Sequence, residues 1–327
     1  MKNIIEVNNL KTSFFTPAGE VKAVNGVSFK LKKGEVLGIV GESGSGKSIT
    51  VLSILKLLGG TGKIINGEII LDGKNIVDKD NKYMSTIRGS KIGMIFQDPM
   101  TSLNPVFKIG YQLREPIMKH LKLSKNEADK KAIEMLTLVG IPDAEKRMNC
   151  FPHEFSGGMR QRVIIAMALA CNPELIIADE PTTALDVTIQ AQIMDLMKKF
   201  QKDFNTSIIL ITHDLGVVAD LADNIIVMYS GSIMERGSVE DIFYNPRHPY
   251  TKGLLNSVPN PEELVKKRLI PIDGQPPNLL NPPKGCPFSP RCPHAMKICL
   301  VKKPETVCVN ENHQTSCWLI NKDMRKG

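Results

Sequence analysis

The chain has 327 residues, 42% of them hydrophobic and 23% charged, and a formal net charge of +8. This composition is typical of a soluble globular protein of about two domains and excludes a disordered chain. The longest apolar run, Val163–Cys171, is too short for a membrane-spanning helix, which needs roughly 20 residues. The N-terminus has no signal-peptide apolar core, so we expect the protein to remain in the cytoplasm.

Two N-terminal strands are predicted from their apolar patterns, at Ile4–Val7 and Val27–Leu31. Between them, the segment from Phe14 to Gly19 is rich in turn-forming residues, and we predict a loop there. Aromatic side chains on such a loop could stack on an adenine base or could pack locally. Phe14 is therefore a candidate for contact with a base.

A glycine-rich loop follows, with the spacing G-x-x-x-x-G-K-S between a predicted buried strand, Val36–Val40, and a predicted helix, Ile49–Leu58. In that order, backbone N–H groups and the helix N-terminus bind phosphate oxygens. Lys47 would reach the outer phosphates, and the Ser48 hydroxyl would ligate Mg²⁺. The sequence thus predicts a nucleoside triphosphate site, formed by Gly41, Glu42, Ser43, Gly44, Ser45, Gly46, Lys47 and Ser48.

Two further strands are predicted after this loop, at Glu68–Leu71 and Lys91–Phe96. The second strand leads directly into Gln97. An amide at the end of a buried strand is well placed to contact a nearby ligand, because ligands of open α/β sheets lie at the carboxyl ends of the strands. Gln97 is therefore a candidate site residue.

The next part of the chain is predicted to be helical. Ser124 and Glu127 have the spacing of a capping box, and apolar residues then follow one helical face until Gly140. We interpret residues from about 100 to 155 as a helical subdomain inserted into the sheet domain.

Another predicted helix begins at Ser156, Gly157 and Gly158 and runs to about Ala170. The first backbone N–H groups of a helix have no partner within the helix, so this start is a second potential anion site. The motif alone is a weak signal, because many helices start in a similar way.

Two carboxylates end the next predicted strand, Leu175–Asp179, which is followed directly by Glu180. Asp179 is placed to hold Mg²⁺ beside a phosphate loop, and Glu180 to accept a proton from an attacking water. The two acids could instead belong to a turn that caps the following helix. A further buried strand, Ser207–Thr212, ends at His213. Four polar residues are therefore expected at one edge of the sheet: Gln97, Asp179, Glu180 and His213.

The amino-acid composition changes after a predicted closing hairpin at residues 224–235. Residues 246–327 contain 13 of the 21 prolines, and 13 Lys/Arg against 6 Asp/Glu, a net charge of +7. We predict a loop-rich extension and place a domain boundary near residue 245. Its positive charge could serve binding to nucleic acid or to an anionic membrane, or could serve only solubility.

With these motifs in order, residues 1–245 resemble the nucleotide-binding subunit of an ATP-binding cassette transporter. The segments Pro246–Thr251 and Gly285–Ala295 further resemble the ATPase subunits of dipeptide and oligopeptide importers, the dipeptide branch most. The resemblance implies an α/β fold: a phosphate-loop NTPase cassette with a mixed β-sheet core, an antiparallel β edge and an inserted helical subdomain, plus a Pro/Cys-rich C-terminal extension. Phe155 and Met159 depart from many cassettes, which have Leu and Gln there, and Met is usual in the peptide-importer branch.

The resemblance also implies a mechanism, in which two cassettes pair head to tail with ATP between the phosphate loop of one and the Ser156 motif of the other. Hydrolysis would then separate the pair and drive a membrane permease. The implied catalytic residues are Glu180, His213 and Gln97. The implied Mg²⁺ ligands are Ser48, Gln97 and Asp179. The implied ATP-binding residues are Phe14, residues 41–48, Ser156, Gly157, Gly158 and Asp186, the last in a loop with Ala184 and Leu185.

The expected function is ATP hydrolysis that powers peptide import at the cytoplasmic face of the membrane. The expected partners are two separate permease subunits, a paralogous ATPase subunit and, indirectly, an extracytoplasmic peptide-binding protein, with no nucleic acid. An importer of nickel or another small solute is the alternative. A soluble nucleic-acid-associated ATPase and an inert regulatory cassette are disfavoured, because the chain has no long coiled-coil insert and has both Glu180 and His213.

Five cysteines lie between positions 286 and 317, in a segment with little apolar content to fold by itself. In a cytosolic chain this favours metal ligation over disulfides. Four thiolates could bind zinc, although its usual C-x₂₋₄-C pairs are absent, or a [4Fe–4S] cluster. The resemblance implies the cluster, with a structural role, and it implies the ligands Cys286, Cys292, Cys299 and Cys317. Cys308 could replace one of its neighbours as a ligand or remain a free thiol.

Overall fold

The computed structural model describes residues 2–183, 185–257 and 271–320. Its strands are β1 (Asn3–Thr16), β2 (Gly19–Lys32), β3 (Val36–Val40), β4 (Gly62–Leu71), β5 (Lys74–Asn75), β6 (Ile92–Ile95), β7 (Leu175–Asp179), β8 (Ser207–Thr212), β9 (Asn224–Tyr229), β10 (Ser232–Ser238), β11 (Val307–Cys308) and β12 (Gln314–Thr315). Its helices are α1 (Lys47–Ile54), α2 (Asn81–Ile87), α3 (Pro99–Ser102), α4 (Ile109–Leu121), α5 (Lys125–Leu138), α6 (Ala144–Arg147), α7 (Gly157–Leu169), α8 (Val187–Phe204), α9 (Leu215–Leu221), α10 (Val239–Tyr244), α11 (Pro249–Asn256) and α12 (Lys297–Val301). None of the helices in these ranges combines the length and apolar composition needed to cross a membrane.

The described chain forms two compact units. The first unit comprises Leu31–Val36, Asp78–Ile211 and the N-terminal residues up to Ile4. The second unit comprises Ile5–Lys30, Leu37–Val77 and the described residues from Thr212 onward. The domain boundary that we place near residue 245 stays a prediction.

In the first unit, β6, β7 and β8 form a parallel sheet with β7 in the middle. Every residue of β7 and of β8 is buried. Their unbroken apolar runs are typical of parallel strands that are covered on both faces, which is why the sequence located these strands correctly. Because the strands are parallel, the residues that follow β6 and β7 lie at the same edge of the sheet.

The helices of the first unit include α4 and α5, which pack against each other and against α7. The capping box at the start of α5 is confirmed: the Ser124 N–H donates to Glu127 Oε2 at 2.8 Å, and the Glu127 N–H donates to Ser124 Oγ at 3.4 Å. Gly140 follows α5 with φ 76°, a left-handed conformation that ends helices. The helical content predicted for this part of the chain is therefore confirmed, and its status as an inserted subdomain stays a prediction.

The second unit contains two sets of strands. An antiparallel sheet has the order β2-β1-β4-β5, with Ile5 opposite Leu71. In the other set, β3 pairs with β9 in parallel, and β9, β10, β12 and β11 continue in antiparallel fashion. The predicted combination of parallel strands with antiparallel ones is confirmed. The final two strands come from the Cys-rich extension, which thus pairs directly with β10.

The predicted loop around Phe14 is wrong, because Phe14 lies inside β1. It is opposite Gly62 on β4, and a Cβ atom built on Gly62 would lie 2.8 Å from the Phe14 ring. The aromatic ring therefore occupies the space that the glycine leaves open across the strands. The long β1 depends on this distant pairing, so local turn residues were a poor guide.

Helix α1 ends at Ile54, four residues earlier than predicted. Lys56 adopts φ 51°, which a helix cannot include, and its Nζ donates to the Val77 carbonyl oxygen at 2.6 Å. The apolar residues after Ile54 continue the helical pattern of the sequence, but the backbone has already turned away.

Candidate functional site

The glycine-rich loop has the predicted setting, since it follows buried β3 and leads into α1. Gly41 and Gly46 have φ values of 151° and 99°. A Cβ atom at Gly41 would lie 2.2 Å from the Met228 carbonyl oxygen, and one at Gly46 would lie 2.6 Å from the Ala23 carbonyl oxygen. Only glycine fits such close approaches of backbone to backbone. Both glycines are therefore needed for the shape of this loop.

The Lys47 ammonium lies within the loop. Its Nζ donates to the carbonyl oxygens of Gly41 and Glu42 at 2.7 and 2.9 Å and to Ser45 Oγ at 3.4 Å. Only 5% of the Lys47 surface is exposed. A buried cation surrounded by loop atoms is pre-positioned for the oxygens of a bound phosphate, because little conformational freedom is left to lose on binding.

Gln97 and Glu180 come together at the carboxyl ends of β6 and β7. Gln97 Nε2 donates to Glu180 Oε2 at 2.9 Å, and Thr183 Oγ1 donates to the same oxygen at 2.9 Å. These two donors orient the carboxylate. The predicted proximity of Gln97 and Glu180 is confirmed, and Thr183 is a neighbour that the motif reading did not identify.

Glu180 has a strained backbone, with φ 47°. Its N–H donates to the Ile211 carbonyl oxygen at 2.8 Å, which fixes the residue to β8. A non-glycine residue in the left-handed region costs about 1–2 kcal/mol and is enriched at functional sites. The preceding Asp179 is buried at the end of β7. The two acids are thus rigidly placed and differ in exposure.

The Ser156 motif forms the start of α7, as predicted. Ser156 Oγ caps the helix by accepting from the Met159 N–H at 3.3 Å. A Cβ atom at Gly158 would lie 3.1 Å from Ile189 Cγ2 on α8, whereas one at Gly157 would meet nothing within 4 Å. Gly158 therefore allows close packing between helices, and Gly157 keeps the exposed helix start open to a ligand.

Asp186 and His213 have different surroundings. Asp186 caps α8, because its Oδ1 accepts from the Ile189 N–H at 2.9 Å. His213 is exposed directly after β8. Ala184, which precedes Leu185 in the predicted loop, lies outside the described residues. Asp186 thus has a clear structural role, and its predicted contact with ATP stays a prediction.

The candidate residues divide between the two units. The first unit contains Gln97, Ser156, Gly157, Gly158, Asp179, Glu180 and Asp186. The second unit contains Phe14, residues 41–48, His213 and the cysteines of the extension.

Four cysteines of the extension, Cys286, Cys292, Cys299 and Cys317, line one small cavity of about 10 Å³. Cys308 is exposed on β11 and does not line it. None of the seven cysteines, all of which lie in the described ranges, forms a disulfide. The sequence prediction thus selected four cysteines that do converge, and it set aside the one that does not.

Burial, aided by the neighbouring thiols, raises the pKa of Cys286 and of Cys317 to about 11. Burial also lowers the pKa of His248, on the wall of the same cavity, to about 3. The Cys286 and Cys317 thiols and the His248 imidazole are therefore neutral at pH 7. Within the described ranges, no group of three or more His, Cys, Asp or Glu side chains is placed to hold a metal ion. The positions of these side chains therefore do not support the predicted cluster.

Two family profiles match this sequence. The ABC transporter profile matches residues 24–183, and the profile "Oligopeptide/dipeptide transporter, C-terminal region" matches residues 234–299. The first match contains the glycine-rich loop, the Ser156 motif and both acids, and the second contains three of the cavity cysteines.

Similar proteins extend over nearly the whole chain. The oligopeptide transport ATP-binding protein OppD of Bacillus subtilis is 57% identical, over 99% of this chain and 90% of that protein. The dipeptide transport ATP-binding protein DppD of the same organism is 53% identical, over 98% and 95%. Since oligopeptide and dipeptide proteins are both this similar, the resemblance does not separate the two.

A solved structure of an ATP-binding cassette, dimeric and in a post-hydrolysis state with ADP and Pi, is similar in fold. It is 31% identical, with a TM-score of 0.66, and the match covers 72% of this chain and 98% of that one. The match therefore includes nearly all of that cassette and leaves the remaining 28% of this chain outside it.

Proposed function

This chain belongs to the ABC transporter family and is an ATPase, and we propose that it powers the import of oligopeptides or dipeptides through separate membrane permease subunits. The observation that carries the proposal is the match of residues 234–299 to the C-terminal region of oligopeptide and dipeptide transporters. The full-length similarity to OppD and DppD supports it as well.

We propose that ATP binds between two cassettes, at the loop of residues 41–48 of one and at the Ser156 motif of the other. The dimeric state of the similar cassette supports this pairing. The buried Lys47 ammonium and the loop N–H groups would neutralise the phosphates. Gly157, which leaves the start of α7 open, would let the helix N-terminus approach the partner's nucleotide.

The residues near Glu180 suit water activation. Glu180 would accept the proton of the attacking water, and Gln97 and Thr183 would orient its carboxylate by the hydrogen bonds described above. His213, exposed after β8, would contact the terminal phosphate. Ser48, Asp179 and Gln97 offer the oxygen ligands that Mg²⁺ prefers, and bound Mg²⁺ would neutralise charge on the phosphates.

We further propose that the working unit contains two permeases and a paralogous ATPase subunit at the cytoplasmic face of the membrane. An extracytoplasmic peptide-binding protein would act on it indirectly. Similarity to transport proteins over nearly the whole chain disfavours a nucleic-acid partner, and no observation favours nickel or another small solute over peptides.

Purification of the tagged chain from detergent-solubilised membranes tests the function. We expect two different permeases and one second ATPase to copurify with it. After reconstitution into vesicles with this chain on the inner side, we expect the complex to take up peptide only when ATP is supplied inside the vesicles. Uptake of nickel without uptake of peptide would refute the proposal that the transported solute is a peptide. Two copies of this chain with no second ATPase would refute the heterodimer alone, so the two failures are distinguishable.

We also propose that the four cavity cysteines bind a [4Fe–4S] cluster that anchors the extension, with zinc as the alternative. Their convergence on one cavity and the exclusion of Cys308 support this proposal. Thiolates suit both iron–sulfur clusters and zinc. A bound cation would also reverse the effect of burial, because metal ligation deprotonates thiols outright.

Anaerobic purification followed by assays of iron, zinc and acid-labile sulfide tests the cluster. We expect iron and sulfide in the wild type and in Cys308→Ser, and their loss in Cys317→Ser, because Cys317 lines the cavity and Cys308 does not. Stoichiometric zinc without sulfide would show that the cysteines bind zinc and not an iron–sulfur cluster. Loss in Cys308→Ser with retention in Cys317→Ser would show that the fourth ligand is wrong.

A further inference from the structure

Arg291, in the C-terminal extension, contacts the glycine-rich loop. Its guanidinium forms a bidentate pair with Glu42: Nη1 lies 2.5 Å from Oε2, and Nη2 lies 3.0 Å from Oε1. Only 4% of the Arg291 side chain is exposed. Bidentate pairs of this kind are among the strongest hydrogen-bonded contacts between side chains. The extension is thus attached to the loop 249 residues earlier in the chain.

Every N–H group of this guanidinium has a partner. Besides Glu42, Nε donates to the Asp273 carbonyl oxygen at 2.9 Å, Nη2 to the Ile272 carbonyl oxygen at 2.9 Å, and Nη1 to Tyr229 Oη at 3.3 Å. An arginine has five N–H donors, and two carboxylate oxygens, two carbonyl oxygens and one hydroxyl match them. The position of Arg291 is therefore fixed by its surroundings and is not an incidental surface contact.

Glu42 is bound at its backbone as well as its side chain. Its N–H donates to Tyr250 Oη at 2.9 Å, and its carbonyl oxygen accepts from Lys47 Nζ at 2.9 Å. Tyr250 is itself packed against Tyr229 and Phe288, with ring centroids 4.6 and 5.2 Å away. Two residues of the extension, Arg291 and Tyr250, therefore hold a loop residue that also binds the loop lysine.

We propose that Arg291 is a positioning residue for ATP binding, which keeps the glycine-rich loop in its phosphate-binding conformation through Glu42. It acts through Glu42, because the carbonyl oxygens of Gly41 and Glu42 both accept from the Lys47 ammonium. Without Arg291, the Glu42 side chain loses both of its guanidinium partners and the loop can sample conformations that bind phosphate poorly.

A double-mutant cycle on the purified full-length chain tests this role. The variants are Arg291→Met, Glu42→Gln and the pair together, and the readout is the equilibrium binding of a fluorescent ATP analogue. We expect each single variant to bind about tenfold more weakly, which is the effect of losing about 1.4 kcal/mol. We expect the double variant to be no weaker than either single variant, because both changes break one contact. Arg291→Lys should recover part of the affinity, since it keeps the charge and loses the bidentate geometry.

Arg236→Met is the matched control. Arg236 lies on β10 and also ties distant segments together, by hydrogen bonds to Gln314 Oε1 at 3.0 Å and to the Ser28 carbonyl oxygen at 3.2 Å, but neither of these residues belongs to the loop. We expect its affinity to match that of the wild type. Equal losses in Arg236→Met and Arg291→Met would overturn the proposal, as would wild-type affinity in both single variants or additive losses in the double variant. Nucleotide binding does not depend on the transported solute, so these outcomes are separate from the proposed peptide import.

Discussion

Glu180→Gln is expected to lower ATP turnover by about 10²–10⁴-fold, the usual cost of removing a general base, while ATP binding stays intact. A glutamine has nearly the shape of a glutamate, and its carbonyl oxygen can still accept from Thr183. It cannot take a proton from water. The variant should therefore accumulate the ATP-bound pair of cassettes.

Steady-state phosphate release by the assembled transporter measures the turnover, and binding of a fluorescent ATP analogue measures the affinity. Glu174→Gln is the matched control, because Glu174 directly precedes β7 at the end opposite Glu180 and pairs with Lys33 at 3.1 Å. We expect turnover near that of the wild type in this control. Unchanged turnover in Glu180→Gln would remove Glu180 from the role of base.

The second large effect is expected on stability, from Glu235→Leu. The Glu235 side chain is fully buried, and its carboxylate accepts from the Arg247 and His248 N–H groups at 2.6 and 2.9 Å and lies 2.7 Å from His313 Nε2. Leucine would leave the buried His248 N–H and His313 ring, and the part-buried Arg247 N–H, without this acceptor. A buried donor left without an acceptor costs about 1–3 kcal/mol, so unfolding of the second unit should begin at markedly lower urea concentration.

Urea titration followed by circular dichroism measures this loss, and the tail strands should lose protection from hydrogen exchange with it. Glu305→Ala serves as the comparison, because Glu305 is exposed in the same extension. A surface change of this type is usually within about 0.5 kcal/mol of the wild type. A Glu235→Leu protein as stable as Glu305→Ala would show that the buried carboxylate contributes little.

Local patterns predicted much of this fold. The apolar runs of β3, β7 and β8 and the capping box of α5 depend on residues a few positions apart, so the chain itself displays them. The glycine-rich loop is similar, because its spacing and its flanks are contiguous. The pairing of Gln97 with Glu180 followed from one general rule about parallel strands.

Other contacts between distant residues escaped prediction. Phe14 was assigned to a loop because its nearest neighbours include turn residues, whereas its partner Gly62 is 48 positions away. Nothing near Arg291 in the chain indicates that it meets Glu42, since a lone arginine beside a cysteine has no distinctive spacing. The cysteines were recognised by resemblance, and the spacing alone left zinc and the cluster both open.

The attachment of β12 to β10 has a consequence for synthesis on the ribosome. Glu235 cannot form its hydrogen bond with His313 until the ribosome has added 78 more residues. At about 5–20 residues per second, that interval is roughly 4–16 s. Throughout it, the outer edge of β10 lacks its partner strand, and an unpaired edge invites pairing with other chains. The nascent protein therefore carries this exposed edge after its ATP-binding motifs have already been made, and the arrival of β12 covers it.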